Sequence, residues 1–297
     1  MSWLLSWISG AILYAAPILF PTLGEVVEQR TGMVNLGLEG LMLLGASLSF
    51  AVSFVTRNAW LGVLAAGGAG LLANLIYAWL VVHRRAHQLA AGLALMFFGI
   101  GMSALIGKPY VGQMAAVLPK YPLFGTQSLF FRYDPLVYVA FVLAPLLWFV
   151  LFCTRFGLKL RAVGENPSVA YAAGVSPALV RYIGAALAGV LAAVGGAHLS
   201  VGITGTWSEG MTAGRGFIAI ALVIFSRWNP LRAIVGALVF GGAVVFQLQL
   251  QAMGVGVSAF IMDMIPYVLT VLVLLLWGRG VRYVAPASLG RVYFGAE

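Results

Sequence analysis

The sequence predicts an all-α fold, a polytopic transmembrane helical bundle of about nine helices with a range of eight to ten, and three observations carry that prediction. Of 297 residues, 62% are hydrophobic and 8% charged, and the mean hydropathy is +1.01, far above that of a water-soluble domain. Apolar runs of roughly 17 to 20 residues recur along the whole length, each enough to cross a hydrocarbon core of about 30 Å at about 1.5 Å per residue. The short polar alternation of a barrel strand is absent, and lipid offers unpaired backbone groups no partner, so helices remain.

The elements follow in chain order. The opening stretch "MSWLLSWISGAILYAAPILF" has no Lys or Arg ahead of it and no small-residue cleavage site, so it reads as a span and not as a signal peptide. Spans are expected near residues 5 to 23, 38 to 55, 59 to 82, 88 to 106, 136 to 153, 180 to 200, 214 to 226, 232 to 250 and 258 to 277. The runs "GAGLLANLIYAWL" and "GRGFIAIALVIF" are interrupted by glycine and open to broken or re-entrant geometry. Residues 107 to 135, with Pro109, Pro119, Pro122 and Pro135, form one long loop. No linker separates a second domain, so residues 1 to 297 are one membrane domain.

Charge orients this arrangement. The net charge of +9 comes from short clusters at the ends of apolar runs and never forms a stripe on a soluble face, which argues against nucleic acid. Cytoplasmic loops near residues 83 to 87, 154 to 182, 226 to 232 and 278 to 291 would hold eleven cations, against five (Arg57, Lys108, Lys120, Arg132 and Arg215) on the other side, with Arg30 unassigned. That bias places the C-terminus in the cytoplasm and, with nine crossings, the N-terminus outside.

One segment departs from this oiliness. In "RAVGENPSVAYAAGVSP", residues 161 to 177, Asn166 supplies an N-cap acceptor and Pro167 a first helical residue that needs no N–H. About two turns follow before Gly174 offers a stop, and Ser176 with Pro177 repeats the start signal. A short, separately capped helix at 167 to 173 results, which alone reads either as a partner contact or as an amphipathic helix on lipid headgroups.

The wider context resembles a known family. "LRAVGENPSVAYAAGVS" is similar to the cytoplasmic coupling segment of ABC importer permeases of the branched-chain amino acid and simple-sugar superfamily. "GEVVEQRTGMVNLGLEGLMLLGA", residues 24 to 46, resembles the signature of the nucleoside branch, which serves basic-membrane-protein-type binding lipoproteins. "GRGFIAIALVIFSRWNPLRAIVGA", residues 214 to 237, is similar to the later half of the same permeases. Compared with ribose-type permeases, an extra leading helix is missing. The resemblance implies a single permease domain in a bacterial cytoplasmic membrane, with residues 154 to 182 as its coupling segment. It implies three partners: a separate ABC ATPase subunit, a second paralogous permease subunit, and an extracytoplasmic substrate-binding lipoprotein. It further implies that Arg161, Gly164, Glu165, Asn166, Pro167, Ser168 and Tyr171 meet the ATPase, and that nucleosides or simple sugars pass by alternating access.

Candidate pathway residues come from polar groups at membrane depth, which normally face a cavity or a partner. Asn35 and Glu39 share one helix face in a stretch loosened by Gly32, Gly37 and Gly40, and are expected to line the substrate route. Glu25, Glu28 and Arg30 read equally as pathway or as a solvated turn. "GTWSEGMTAGRG", residues 205 to 216, is the second-half counterpart: Trp207 is a stacking surface or an interfacial anchor, and Glu209 and Arg215, candidate pathway residues with it, have the charges to pair.

Other signals are weaker. His83 and His87 have the spacing of metal ligands, but "HRRAH" lacks a zincin glutamate and reads as headgroup contact, so no metal or cofactor is expected. His198 reads as a satisfied bundle histidine, Asp263 as an edge carboxylate or a proton site. Cys153, the single cysteine, is uninformative. Ala185, Gly189, Ala193 and Ala197 form a small-residue packing stripe. No G-x-x-x-x-G-K-[ST] occurs, so ATP hydrolysis falls to a partner and the chain is not an enzyme. An ion-coupled secondary transporter is the alternative; an intramembrane enzyme lacks a nucleophile with a base.

Overall fold

A computed structural model describes residues 2 to 122, 132 to 254, 258, 261, 264 to 277 and 285 to 291. Eleven α-helices occur among them: α1 (Ser2–Arg30), α2 (Leu38–Thr56), α3 (Ala59–Val82), α4 (Gln88–Gly107), α5 (Pro135–Cys153), α6 (Arg155–Glu165), α7 (Pro167–Ala172), α8 (Pro177–Ala197), α9 (Arg215–Phe225), α10 (Pro230–Ala252) and α11 (Ile265–Trp277). A π-helical segment, His198–Thr204, extends α8. Two short strands, β1 (Tyr121–Pro122) and β2 (Arg132–Tyr133), pair antiparallel.

Side-chain caps set many of the helix starts. Asp134, Asn166, Ser176 and Asn229 each accept a backbone N–H of the following turn, and each precedes a proline. Seven helices are long and apolar enough to cross a membrane: α1 to α5, α8 with its π extension, and α10. The expected count of about nine meets a different division. The run at 214 to 226 is an eleven-residue half-span, α9, about 16 Å long, and the last expected span is represented by the thirteen residues of α11. The first span is longer than expected, carrying Glu25, Glu28 and Arg30 within α1. Asp263, Arg279 and Arg282 lie outside the described residues.

The small-residue stripe places α8 at the centre. Ala185, Ala193 and Ala197 are wholly buried, and a Cβ on Gly189 would collide with the Gly70 carbonyl and the Asn74 side chain of α3. Gly45 of α2 and Gly24 of α1 likewise sit directly on the backbone of Ala193 and Ala188. Large apolar side chains such as Leu64, Leu72, Phe97 and Val142 are exposed on the outer faces, as a lipid-facing bundle requires.

Contacts sort the loops into two ends. At one, His83 Nδ1 meets the Tyr182 hydroxyl at 2.8 Å, Arg30 donates to the Trp228 carbonyl, and Ser288 N–H donates to the Gly164 carbonyl. Arg30, unassigned by sequence, thus joins the cation-rich loops at 83 to 87, 154 to 182 and 226 to 232. At the other end, Leu118 N–H donates to the Val201 carbonyl, and buried His198 Nε2 lies 2.9 Å from Asp134 Oδ2. Burial works against the charged form of Asp134. The His198 hydrogen bond and charge, with the Leu136 and Val137 amides, outweigh it and hold the carboxyl below its ordinary range.

Candidate functional site

Two breaks in the helical pattern meet inside the bundle. After α1, Gly32 takes φ +89° and the chain turns back into the protein. Asn35 reaches Asn74, two turns before the end of α3, and Gly40 packs on Met96, two turns into α4. Helix α2 therefore starts inside the bundle and not at its end. In the second half, the chain leaves the π segment through left-handed Gly205 and Gly210 and descends to the start of α9.

Glu39 joins the two breaks. Its Oε1 accepts from the Thr212 hydroxyl at 2.5 Å and from Gly214 N–H at 2.8 Å, while Oε2 accepts from Gly216 N–H at 2.7 Å. A carboxylate thereby satisfies two backbone donors at the positive end of α9. Close approach makes this possible: a Cβ on Gly216 would overlap the Glu39 backbone.

Beside this junction lies a cleft of about 410 Å³ between α2, α4 and residues 209 to 217. Glu39, Glu209 and Ser103 are polar members of its lining; Met96, Ile100 and Phe217 are apolar ones. Ser103 Oγ is buried without a hydrogen-bond partner, and Phe217 is exposed. Such a mixed lining suits a neutral ligand that carries both hydroxyl groups and an apolar face.

The remaining expected pathway residues divide. Asn35 is fully buried and does not line the cleft. Its amide donates to Asn74 Oδ1 at 2.6 Å and accepts from Gly37 N–H at 2.7 Å, so it folds the 31 to 37 loop. Glu25 Oε1 holds the same loop by accepting from Asn35 N–H and from Gln29 Nε2, and Glu28 accepts from Asn74. Trp207 is also buried, its ring pressed on Gly107, a packing role in place of an exposed stacking surface. The Glu209 to Arg215 pair that the charges allow does not form. Arg215 donates instead to the Met211 and Thr212 carbonyls, because the start of α9 points it back along its own loop. Arg215 also sits at this interior junction and not on the side opposite the coupling loops.

The expected coupling segment has the predicted local structure. Asn166 Oδ1 accepts from Ser168 and Val169 N–H at 3.1 Å each, and Gly174 takes φ +79°. Glu165, Asn166, Ser168 and Tyr171 are exposed, and Pro167 is half-buried. Exposed Val169 and Tyr171 give α7 an apolar outer edge. Gly164 is buried against the Arg30 carbonyl, and half-buried Arg161 lies over the Phe152 ring at 5.1 Å.

Sequence reasoning missed a strap. Residues 285 to 291 clasp the α6 to α7 junction: Ser288 Oγ donates to the Gly164 carbonyl at 2.6 Å, and Ala287 N–H to Glu165 Oε2 at 3.3 Å. Gly290 N–H reaches the Gly32 carbonyl, and Gln88 reaches Arg291. The strap thus ties the α6 to α7 junction to the loop that carries Asn35. Its partners are mostly backbone, which leaves no sequence pattern to find. Among the described residues no group of three metal-ligating side chains occurs.

Comparison with known proteins decides the family. Residues 7–275 match the family model described as branched-chain amino acid transport system / permease component. The chain belongs to this permease family. A nucleoside ABC transporter permease of Lactococcus lactis is 36% identical, over 98% of this chain and 97% of that protein. A putative glucose ABC transporter permease of Haloferax volcanii is 32% identical, over 99% and 98%. A guanosine ABC transporter permease of Bacillus subtilis is 33% identical, over 90% of each. No solved structure matches. Family membership and seven membrane-capable helices make this permease a multi-pass membrane protein.

Proposed function

We propose that this chain is the membrane-spanning subunit of an ATP-driven ABC importer for nucleosides or related simple sugars, and that the cleft between Glu39 and Glu209 is part of the substrate route. The observation that carries the reading is the Glu39 junction. In an apolar chain, two interrupted helices meet at a buried carboxylate beside a cleft that presents acceptors and an aromatic ring. Relatives named for nucleoside, guanosine and glucose transport support the substrate class.

The cation-rich end faces the cytoplasm of a bacterial inner membrane, C-terminus included, by the excess of Arg and Lys there. Exposed α7 docks on the ATPase subunit, with Glu165, Asn166, Ser168 and Tyr171 at the contact. A second, paralogous permease covers the open flank of the cleft, and an extracytoplasmic binding lipoprotein delivers substrate at the opposite end. ATP-driven closure of the ATPase pushes α7; Gly164 and the strap pass that motion to the 31 to 37 loop and so to Glu39. Glu25 and Glu28 are held by loop and side-chain amides, which gives them a structural use without ion coupling.

The test is reconstitution of the permease pair, ATPase and binding protein in liposomes, with uptake of labelled guanosine, adenosine, glucose and ribose. ATP-dependent uptake of one nucleoside or sugar is expected. Uptake that persists without ATPase but follows an imposed proton or sodium gradient would establish a secondary transporter.

A further inference from the structure

A second cavity, of about 330 Å³, lies where α9 ends and α10 begins, lined by Phe225, Arg227, Arg232 and Val235. We propose that this pocket binds the phosphate of an anionic phospholipid headgroup. Among the described residues its polar lining is two guanidinium groups, with no carboxylate beside them. Arg227 Nε is buried without a hydrogen-bond partner, and Arg232 is exposed in the first turn of α10. Planar guanidinium donors match phosphate oxygens in geometry as well as charge.

The turn is built to aim them. Arg227 and Trp228 both take left-handed backbone, φ 55° each, which costs roughly 1 kcal/mol or more per residue away from glycine. Trp228 is fixed there because its indole N–H donates to Gln29 Oε1 at 2.7 Å and its carbonyl accepts from Arg30. With Trp228 turned inward onto α1, Arg227 lines the pocket. The N-terminus of the 23-residue α10 adds partial positive charge.

Lipid is favoured over free phosphate by what flanks the pocket. Ile224 is 52% exposed, Leu231 38% and Val235 57%, so the walls continue as an apolar surface along which acyl chains can lie. The pocket sits at the cation-rich end, at the level where basic pockets between helices take lipid headgroups.

The experiment uses full-length permease exchanged into vesicles of equal phosphatidylcholine and phosphatidylglycerol, with retained lipid counted by native mass spectrometry. Wild type is expected to retain phosphatidylglycerol preferentially. Arg232→Ala, at an exposed position that keeps the fold, should weaken retention about fivefold, and Arg227→Ala with Arg232→Ala about thirtyfold, from roughly 1 kcal/mol per cation. Arg232→Lys should lose less than Arg232→Ala. No preference in wild type, or equal retention by all variants, overturns the proposal. Stabilisation by inorganic phosphate in phosphatidylcholine-only vesicles, without a phosphatidylglycerol preference, assigns the pocket to free phosphate and also overturns it. So does loss of ATPase co-purification by Arg232→Ala with lipid retention intact, which would make the pocket a protein contact.

Discussion

Replacing Glu39 by glutamine keeps the side chain's shape and removes its charge. The substituted amide can keep its oxygen toward the Thr212 hydroxyl and Gly214 N–H, the two donors on Oε1. Its NH2 then faces Gly216 N–H, the donor on Oε2, so donor meets donor. Hydrogen bonds to a charged group contribute about 1.5 to 3 kcal/mol, and a carboxylate at a helix N-terminus adds about 0.3 to 1. Glu39→Gln should therefore destabilise by about 2 to 4 kcal/mol. Thr212→Val removes one donor and should cost about 1 to 2 kcal/mol. Because the two groups touch, the double variant should lose less than the sum, with a coupling of about 1 to 2 kcal/mol. Unfolding in mixed micelles titrated with SDS gives all four stabilities. Strict additivity, or a Glu39→Gln loss under about 0.5 kcal/mol, would refute the capping role.

Three further outcomes are expected. Gly164→Ala drives a Cβ into the Arg30 carbonyl, where backbone cannot yield, and should lower stability by about 1 to 3 kcal/mol; an unchanged melting temperature would contradict it. Ser288→Ala removes the hydroxyl from the Gly164 carbonyl at a cost of about 1 kcal/mol; ATP hydrolysis should persist while uptake per ATP falls, and a preserved ratio would rule out the strap as a transmitter. Asp134, whose carboxyl is held low, contributes stability that is full above its unfolded pKa of about 4 and is lost as pH falls through the lower folded value. The stability gap between wild type and Asp134→Asn should thus close as pH falls from about 5 to below about 4; a constant gap from about pH 5 down to about pH 2 would contradict this.

Local signals were legible in the sequence, and contacts between distant segments were not. Asn166, Pro167, Gly174 and Ser176 state their helix boundaries because caps and stops depend on neighbours within four residues. The small stripe on α8 was readable for the same reason, being a period along one helix. Asn35 and Glu39 were both marked as unusual by polarity at depth, yet only Glu39 reaches the cleft. Which of two neighbouring polar residues faces a cavity depends on Asn74 and Thr212, 39 and 173 residues away. Glu209 and Arg215 looked like a pair by charge, but the backbone at the start of α9 supplied nearer acceptors. The half-span α9 was partly foreseen, since Gly214 and Gly216 interrupt it, whereas its interior starting depth follows only from Glu39.

The measurement that bears most directly on the route is accessibility at Ser103, which lines the cleft together with Glu39. In a Cys153→Ala background, which removes the exposed native thiol, a Ser103→Cys permease is assembled with its ATPase in inside-out and right-side-out vesicles. A membrane-impermeant thiol reagent is applied to each, with and without ATP and vanadate. Labelling should be possible from one side at a time, should change sides when the ATPase is locked, and should be slowed by the transported nucleoside or sugar. Labelling that ignores both nucleotide and substrate, or that occurs only with a lipid-soluble reagent, would show that the cleft beside Glu39 faces lipid and is not the pathway.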